Sequence, residues 1–315
     1  LTGGVPNVQS TTGAIVGNFR WGPAEKRSLI ANETELVEKF AAPDSDTTID
    51  FHSASYFLRY SSALQVVRAI DGNADNAISV SADSGAGILS AVIVKNEDDF
   101  ASQSSALTAG NQTFIGRYPG ALGNDLQVQM CHANSTAYNA WGFKNEFDAV
   151  PATSNFLTAK NGSNDEVHTV VIDKNGKFTG TKNAVLERYA FLSLAKDAKA
   201  DDGTSIYVKD VINERSEYIH MAGFDSAVVA NITKSGRVAL DSGDDFLSTG
   251  ASLFNRHFTF NFSGGSNSNA LTTTEFLSGF DLFEDKDQVE IDFLIAPGMT
   301  TTTDQTTVVN DLIAT

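Results

Sequence analysis

At 315 residues, 41% hydrophobic and 19% charged, the chain is long enough for roughly two domains and a large core. Its 39 acidic residues against 22 basic ones leave a formal charge of −17, which argues against a DNA or RNA partner gripped through Lys and Arg. No run approaches the roughly 18 consecutive apolar residues of a membrane helix, no secretory leader pattern is present, and the lone Cys131 has no partner for an intramolecular disulfide.

In chain order, Ala14 to Phe19 is an apolar run leaving through Trp21-Gly22-Pro23, as a buried strand does. "NETELVEKF" follows as a short helix capped by Asn32, with Leu36, Val37 and Phe40 on its inner face. Asp50 is expected to cap a second helix, with Phe51, Ala54, Phe57 and Leu58 inward. "ALQVVRAID" then reads as a strand, so the order strand, helix, helix, strand opens an α/β layer.

From Asp71 to Gly110 the texture turns to Gly, Ala, Ser, Asn and Asp around two short strand candidates, Ala77 to Ser81 and Ser90 to Val94. In "GRYPGALGND", residues 116–125, no Lys-Ser or Lys-Thr follows the glycines, and the next segment alternates with period two. A phosphate loop needs that lysine and a following helix, so this one reads as a Pro-Gly turn into a strand. "HTVVIDKNGKFTG" places two period-two runs on either side of Asn175-Gly176, a hairpin signal, and "VLERYAFLSLA" continues as strand. "IYVKDVINERSEYIHMAG" is a helix with Val208, Val211 and Ile212 on one face, running toward a strand at Tyr218 to Met221. "FTFNFSGGSNSN" is an alternating strand with a glycine loop. Thr272 or Thr273 caps a helix with Phe276, Leu277, Phe280 and Phe283 inward, "QVEIDFLIAPG" is a largely apolar strand, and a last helix begins near Asp304.

The candidate chemistry is thin. The five histidines, at 52, 132, 168, 220 and 257, show no metal-binding spacing, and Cys131-His132 on a strand point to opposite faces. Asp71-Gly72-Asn73-Ala74-Asp75 resembles the start of a calcium loop but continues with Asn76 in place of Gly and ends at Ala82 in place of Glu. Gly85-Ala86-Gly87-Ile88-Leu89-Ser90 falls one residue short of a dinucleotide fingerprint and lacks its strand and helix. No Gly-x-Ser-x-Gly elbow occurs at Gly264-Gly265-Ser266, and the six Asn-x-Ser/Thr triplets are what an Asn-, Ser- and Thr-rich chain produces. The sequence thus assigns no catalytic, cofactor-binding or metal residues and implies no enzyme.

Four stretches, in order, resemble the contractile tail sheath proteins of tailed bacteriophages of myovirus type. They are "TTGAIVGNFRWGPAEKRSLIANETELVEKF", "RYPGALGNDLQVQ", "YVKDVINERSEYI" and "GGSNSNALTTTEFLSGFDLFEDKDQVEIDFLIAPG". The resemblance implies a non-enzymatic virion protein, assembled in the host cytoplasm, that stacks helically around a tail tube between baseplate and tail terminator proteins. It drives the tube through the host envelope on contraction, without cofactor, nucleic-acid contact or membrane insertion.

The resemblance also implies a fragment. The chain opens at Leu1 and stops within an apolar-periodic segment, so the N-terminal arm and C-terminal domain that wire sheath subunits together are expected to be missing and the piece to be monomeric. The expected fold is α+β. An incomplete α/β inner domain, residues 1–71 and 285–315, carries an inserted β-rich, sandwich-like domain, 72–284, whose region 73–111 is short beside sheaths with a protruding outer domain. The competing reading is a secreted or surface-layer β-rich structural protein. A hydrolase with a dispersed active site is a third.

Overall fold

The computed structural model describes residues 11–81, 92–109, 114–160, 164–223, 257–267, 271–285, 287–296 and 301–314. It is a mixed α+β structure in two compact units, one of residues 1–74, 95–97 and 267–315, the other of 75–94 and 98–266.

The first unit is built on β1 (Gly13–Gly17), whose five residues are all buried. Ala14 and Val16 point to one face of its sheet and Ile15 to the other, the alternation of a strand covered on both sides. β3 (Leu64–Arg68) and the late strand β11 (Phe293–Ile295) flank β1 in parallel, while β2 (Ser28–Ile30) runs antiparallel to β3, giving the order β11-β1-β3-β2. The predicted strand "QVEIDFLIAPG" is reduced to β11; Pro297-Gly298 lie outside the described residues.

Two helices cover the Ile15 face. α1 (Glu33–Phe40) starts where Asn32 Oδ1 accepts the Glu35 N–H at 3.0 Å, and Glu35 returns a bond to the Ala31 N–H at 2.8 Å. Leu36 and Phe40 are buried, but Val37, expected inward, is 38% exposed. α2 (Thr48–Leu58) begins earlier than predicted. Asp44 accepts from the Thr47 N–H and hydroxyl, turning the chain three residues before Asp50. Asp50 is therefore not a cap: it sits in the first turn and accepts the Asn18 N–H at 2.7 Å.

The other face is covered by α7 (Thr273–Phe280) and α8 (Thr302–Ala314). Thr272 is the cap of α7, and Glu275 closes a capping box on its N–H at 2.7 Å. Phe276, Phe280 and Phe283 are buried against Ala14, Val16 and Val67. Gly279 permits this closeness, since a Cβ there would stand 2.4 Å from Val16 Cγ1. Arg68, 2% exposed, donates to the carbonyls of Phe19 at 2.7 Å and Gly22 at 3.0 Å, fixing the Trp21-Gly22-Pro23 turn.

The second unit holds an antiparallel sheet of β4 (Ile78–Ser81), β5 (Phe114–Gly116), β6 (Leu126–His132), β7 (Glu166–Asp173), β8 (Ala184–Ser193), β9 (Ile219–Met221) and β10 (Phe258–Ser263). Their order is β8-β7-β6-β10-β4-β5-β9; among the described residues these strands form one sheet rather than the two stacked sheets of a sandwich. The second predicted early strand, Ser90 to Val94, is not one where described: residues 92–94 have no strand pairing, and their backbone is held by Asn76. Helix α3 (Glu97–Ala109) follows, packing Phe100 and Leu107 beside Ile78 and Ile115. On the other side of the unit α4 (Ser135–Ala140) helps bury Trp141 and Cys131, and α5 (Asn155–Thr158) is a single turn capped by Ser154. Helix α6 (Val208–Arg215) buries Val208, Val211 and Ile212, as the sequence predicts.

The hairpin at Asn175-Gly176 joins β7 to β8, but residues 174–183 form a loop instead of a two-residue turn. Asp173 explains the difference. Its carboxylate accepts the N–H groups of Lys177, Phe178 and Thr179 at 2.8–3.0 Å and the Thr179 hydroxyl at 2.9 Å, a more complete set of acceptor bonds than a tight turn offers.

Three asparagines act as short strands of their own. Asn76 grips Val94, Asn124 grips Gly265 and Asn213 grips Met221, each accepting that residue's N–H and donating to its carbonyl at 2.7–3.0 Å. The last occupies the outer edge of β9, so that edge offers Met221 to no further strand.

Candidate interaction surfaces

The residues singled out for chemistry are spent on structure. Cys131 is fully buried in the cluster around Trp141, and burial pushes its thiol up to about 12, so it keeps its proton. His132, its neighbour, is buried and stands 5.7 Å ring to ring from Phe258. Among the described residues no group of three His, Cys, Asp or Glu side chains could hold a metal ion. Asp71, at the head of the calcium-like run, turns its carboxylate onto the Asn73 N–H at 2.7 Å and side-chain amide at 2.8 Å, closing its own loop. Gly85 to Ser90 lie outside the described residues.

The glycine loop at 116–125 has no cradle of inward amides. Gly116, Arg117, Gly120 and Gly123 donate to Ala77, Tyr218, Asp75 and Gly120 carbonyls at 2.7–3.2 Å, and residues 121–125 wind into a 3₁₀ turn before β6. The loop is packed closely by the chain after β10: a Cβ on Gly265 would lie 2.5 Å from the Gly120 carbonyl oxygen.

A cleft of about 250 Å³ is lined by Ser154, Asn155, Glu166, Lys199 and Asp201 among others. Ser154 Oγ donates to Asp165 at 2.7 Å and accepts the Leu157 N–H at 3.1 Å, so its hydroxyl is engaged in capping α5. His168 of the same strand as Glu166 uses both ring nitrogens: Nε2 donates to the Ala149 carbonyl at 2.8 Å, leaving Nδ1 to accept the Phe191 N–H at 3.1 Å. Burial holds its pKa below the ordinary histidine range.

What the first unit presents outward is different in kind. α2 buries Phe51 and Ala54 and turns Ile49 and Tyr56 to solvent at 65% and 56% exposure, and Tyr60, in the turn after the helix, is 92% exposed. Ile49 and Tyr56 lie two helical turns apart on the face opposite the core. His52 and Arg59 are exposed beside them, with the Arg59 guanidinium 4.9 Å from the Tyr56 ring centre. The stripe escaped the sequence reading, although a helix apolar on both faces is a readable sign of a covered outer face.

No protein-family model matches the chain. A tail sheath protein of Salmonella phage ViI is 35% identical over 174 residues, 55% of this chain and 24% of that protein. One of Enterobacteria phage T4 is 43% identical over 67 residues, 21% of this chain and 10% of that protein. The matches therefore span a quarter or less of each relative's length. A solved sheath tail protein of Listeria innocua is 10% identical and covers 96% of this chain and 44% of its own, at a TM-score of 0.44, too low to argue the fold from. By these sequence matches the chain is similar, over part of its length, to phage tail sheath proteins.

Proposed function

We propose that the chain is part of the structural subunit of a contractile phage tail sheath. The subunit polymerises helically around the tail tube, is bounded by baseplate and terminator proteins, and contracts to push the tube through the host envelope. The observation that carries this is the 35% identity over 174 residues with a tail sheath protein. Three of the candidate groups have structural roles: Ser154 caps a helix, Asp71 closes a turn and Cys131 sits protonated in the core. The work of contraction is then stored in subunit interfaces, as two packings separated by a kinetic barrier, and no nucleotide is consumed. On this reading the inner domain is built from both ends of the chain, the β-rich middle is an insertion, and the arms that exchange strands between subunits belong to the remainder of the protein. DNA travels inside the tube, so the net charge of −17 is no obstacle.

Negative-stain electron microscopy of the full-length gene product, with light scattering on the 315-residue piece, tests the proposal. Hollow, regularly striated cylinders from the full chain beside a monomeric piece are expected. Monomers from both, or flat two-dimensional arrays, contradict it.

A further inference from the structure

We propose that the exposed stripe of α2 and the turn after it docks on the acidic residues Glu284, Asp287 and Glu290 of a second copy of this chain. The inference rests on the sheath reading and names one contact within it. The stripe is chemically uniform. Around Ile49 it carries the Tyr56 and Tyr60 hydroxyls, the His52 imidazole and the Arg59 guanidinium, all capable of donating hydrogen bonds. Among the described residues Arg59 forms no ion pair, and neither hydroxyl has a hydrogen-bond partner. Tyr and Arg over apolar surface are the composition that carries binding energy at protein interfaces.

A donor-rich aromatic stripe fits carboxylates, and a chain of net charge −17 supplies them. Glu284, Asp287 and Glu290 stand in solvent within the same unit, while Asp285 turns its carboxylate onto the Asp287 N–H at 3.0 Å and the Gln288 side-chain amide at 2.7 Å. Its apolar residue Val289 packs with α7 on the Ala14 and Val16 face of the sheet, whereas α2 packs on the Ile15 face. Donor and acceptor surfaces thus leave opposite faces of one sheet and cannot satisfy each other within one copy. Between copies they make a head-to-tail contact, the kind that propagates into an open helical polymer instead of closing a dimer.

The test uses the full-length protein and its critical concentration for polymerisation, read by sedimentation and negative stain. Arg59→Glu, and separately Tyr56→Ala with Tyr60→Ala, are expected to raise that concentration at least tenfold with an unchanged melting temperature. Adding Glu284→Lys and Asp287→Lys to the Arg59→Glu chain is expected to bring it back to within about threefold of wild type, since like charges face each other after the first change and opposite charges after the second. Wild-type behaviour of both stripe variants overturns the proposal, and so does a loss of assembly that the lysines do not rescue, which assigns the stripe to another segment or protein. A wild-type protein that forms no polymer at all overturns the sheath reading and this contact with it.

Discussion

Nδ1 of His168 accepts the backbone N–H of Phe191 at the first of two places where β7 and β8 lose register. Val167 pairs with Leu192 and Thr169 with Tyr189, so His168 faces two residues, and Phe191 adopts φ +52°. The bulge leaves an N–H without a ladder partner, and the imidazole supplies the acceptor. Phe147 stacks on the same ring at 4.1 Å between centroids, and Cys131 pairs with His168 across the ladder from β6.

Acid should therefore loosen this region. A histidine whose folded pKa lies below its unfolded value of about 6.5 contributes stability that is present above that pH and lost as pH falls through the folded pKa. Urea unfolding of the chain between pH 7.5 and 5 should show falling stability, and His168→Gln should be less stable at pH 7.5 but flatter across the range. A wild-type profile with the same slope as the variant contradicts this role.

Gly279→Ala should destabilise the first unit by about 1–3 kcal/mol, the cost of overpacking a site where the new Cβ meets Val16 Cγ1 at 2.4 Å. Val16→Ala in the same chain makes room, so the double variant should lose less than the sum of the singles. Chemical denaturation of the four proteins measures the coupling; simple additivity would deny the contact.

Asp173→Asn keeps the shape of the side chain but replaces one acceptor oxygen with a donor facing N–H groups. A loss of about 1–3 kcal/mol is expected from the unsatisfied amides, with faster proteolysis inside residues 174–183. Unchanged proteolysis would show that the loop holds without its carboxylate.

Cys131 should be silent toward thiol reagents in the native chain at pH 8, because it is buried and its pKa is raised to about 12 by burial. One thiol per chain should titrate after unfolding in guanidinium. Rapid native labelling would place Cys131 at the surface.

The elements that were legible in the sequence owe their shape to near neighbours. Asn32 and Glu35, or Thr272 and Glu275, announce helix starts because the capping bonds span three residues. Alternation in "FTFNFS" gives β10 its buried phenylalanines. α3 is hard to read because its apolar residues Phe100 and Leu107, which pack inward, stand seven apart among Ser, Asp, Gln and Ala, too sparse a period to register. The position of β10 between β6 and β4 depends on pairings more than a hundred residues apart, which no local pattern encodes. The outward stripe is hidden for a different reason: Phe51, Ala54, Phe57 and Leu58 already account for α2 as a core helix, while Ile49 and Tyr56 stand on its opposite face and Tyr60 in the turn after it.

The most direct measurement is immunogold microscopy of the intact phage particle that carries this gene, using antibody raised against the 315-residue chain. The account predicts gold along the tail between head and baseplate, in extended and contracted particles alike. Gold confined to the capsid or baseplate, or a bare tail, would contradict it.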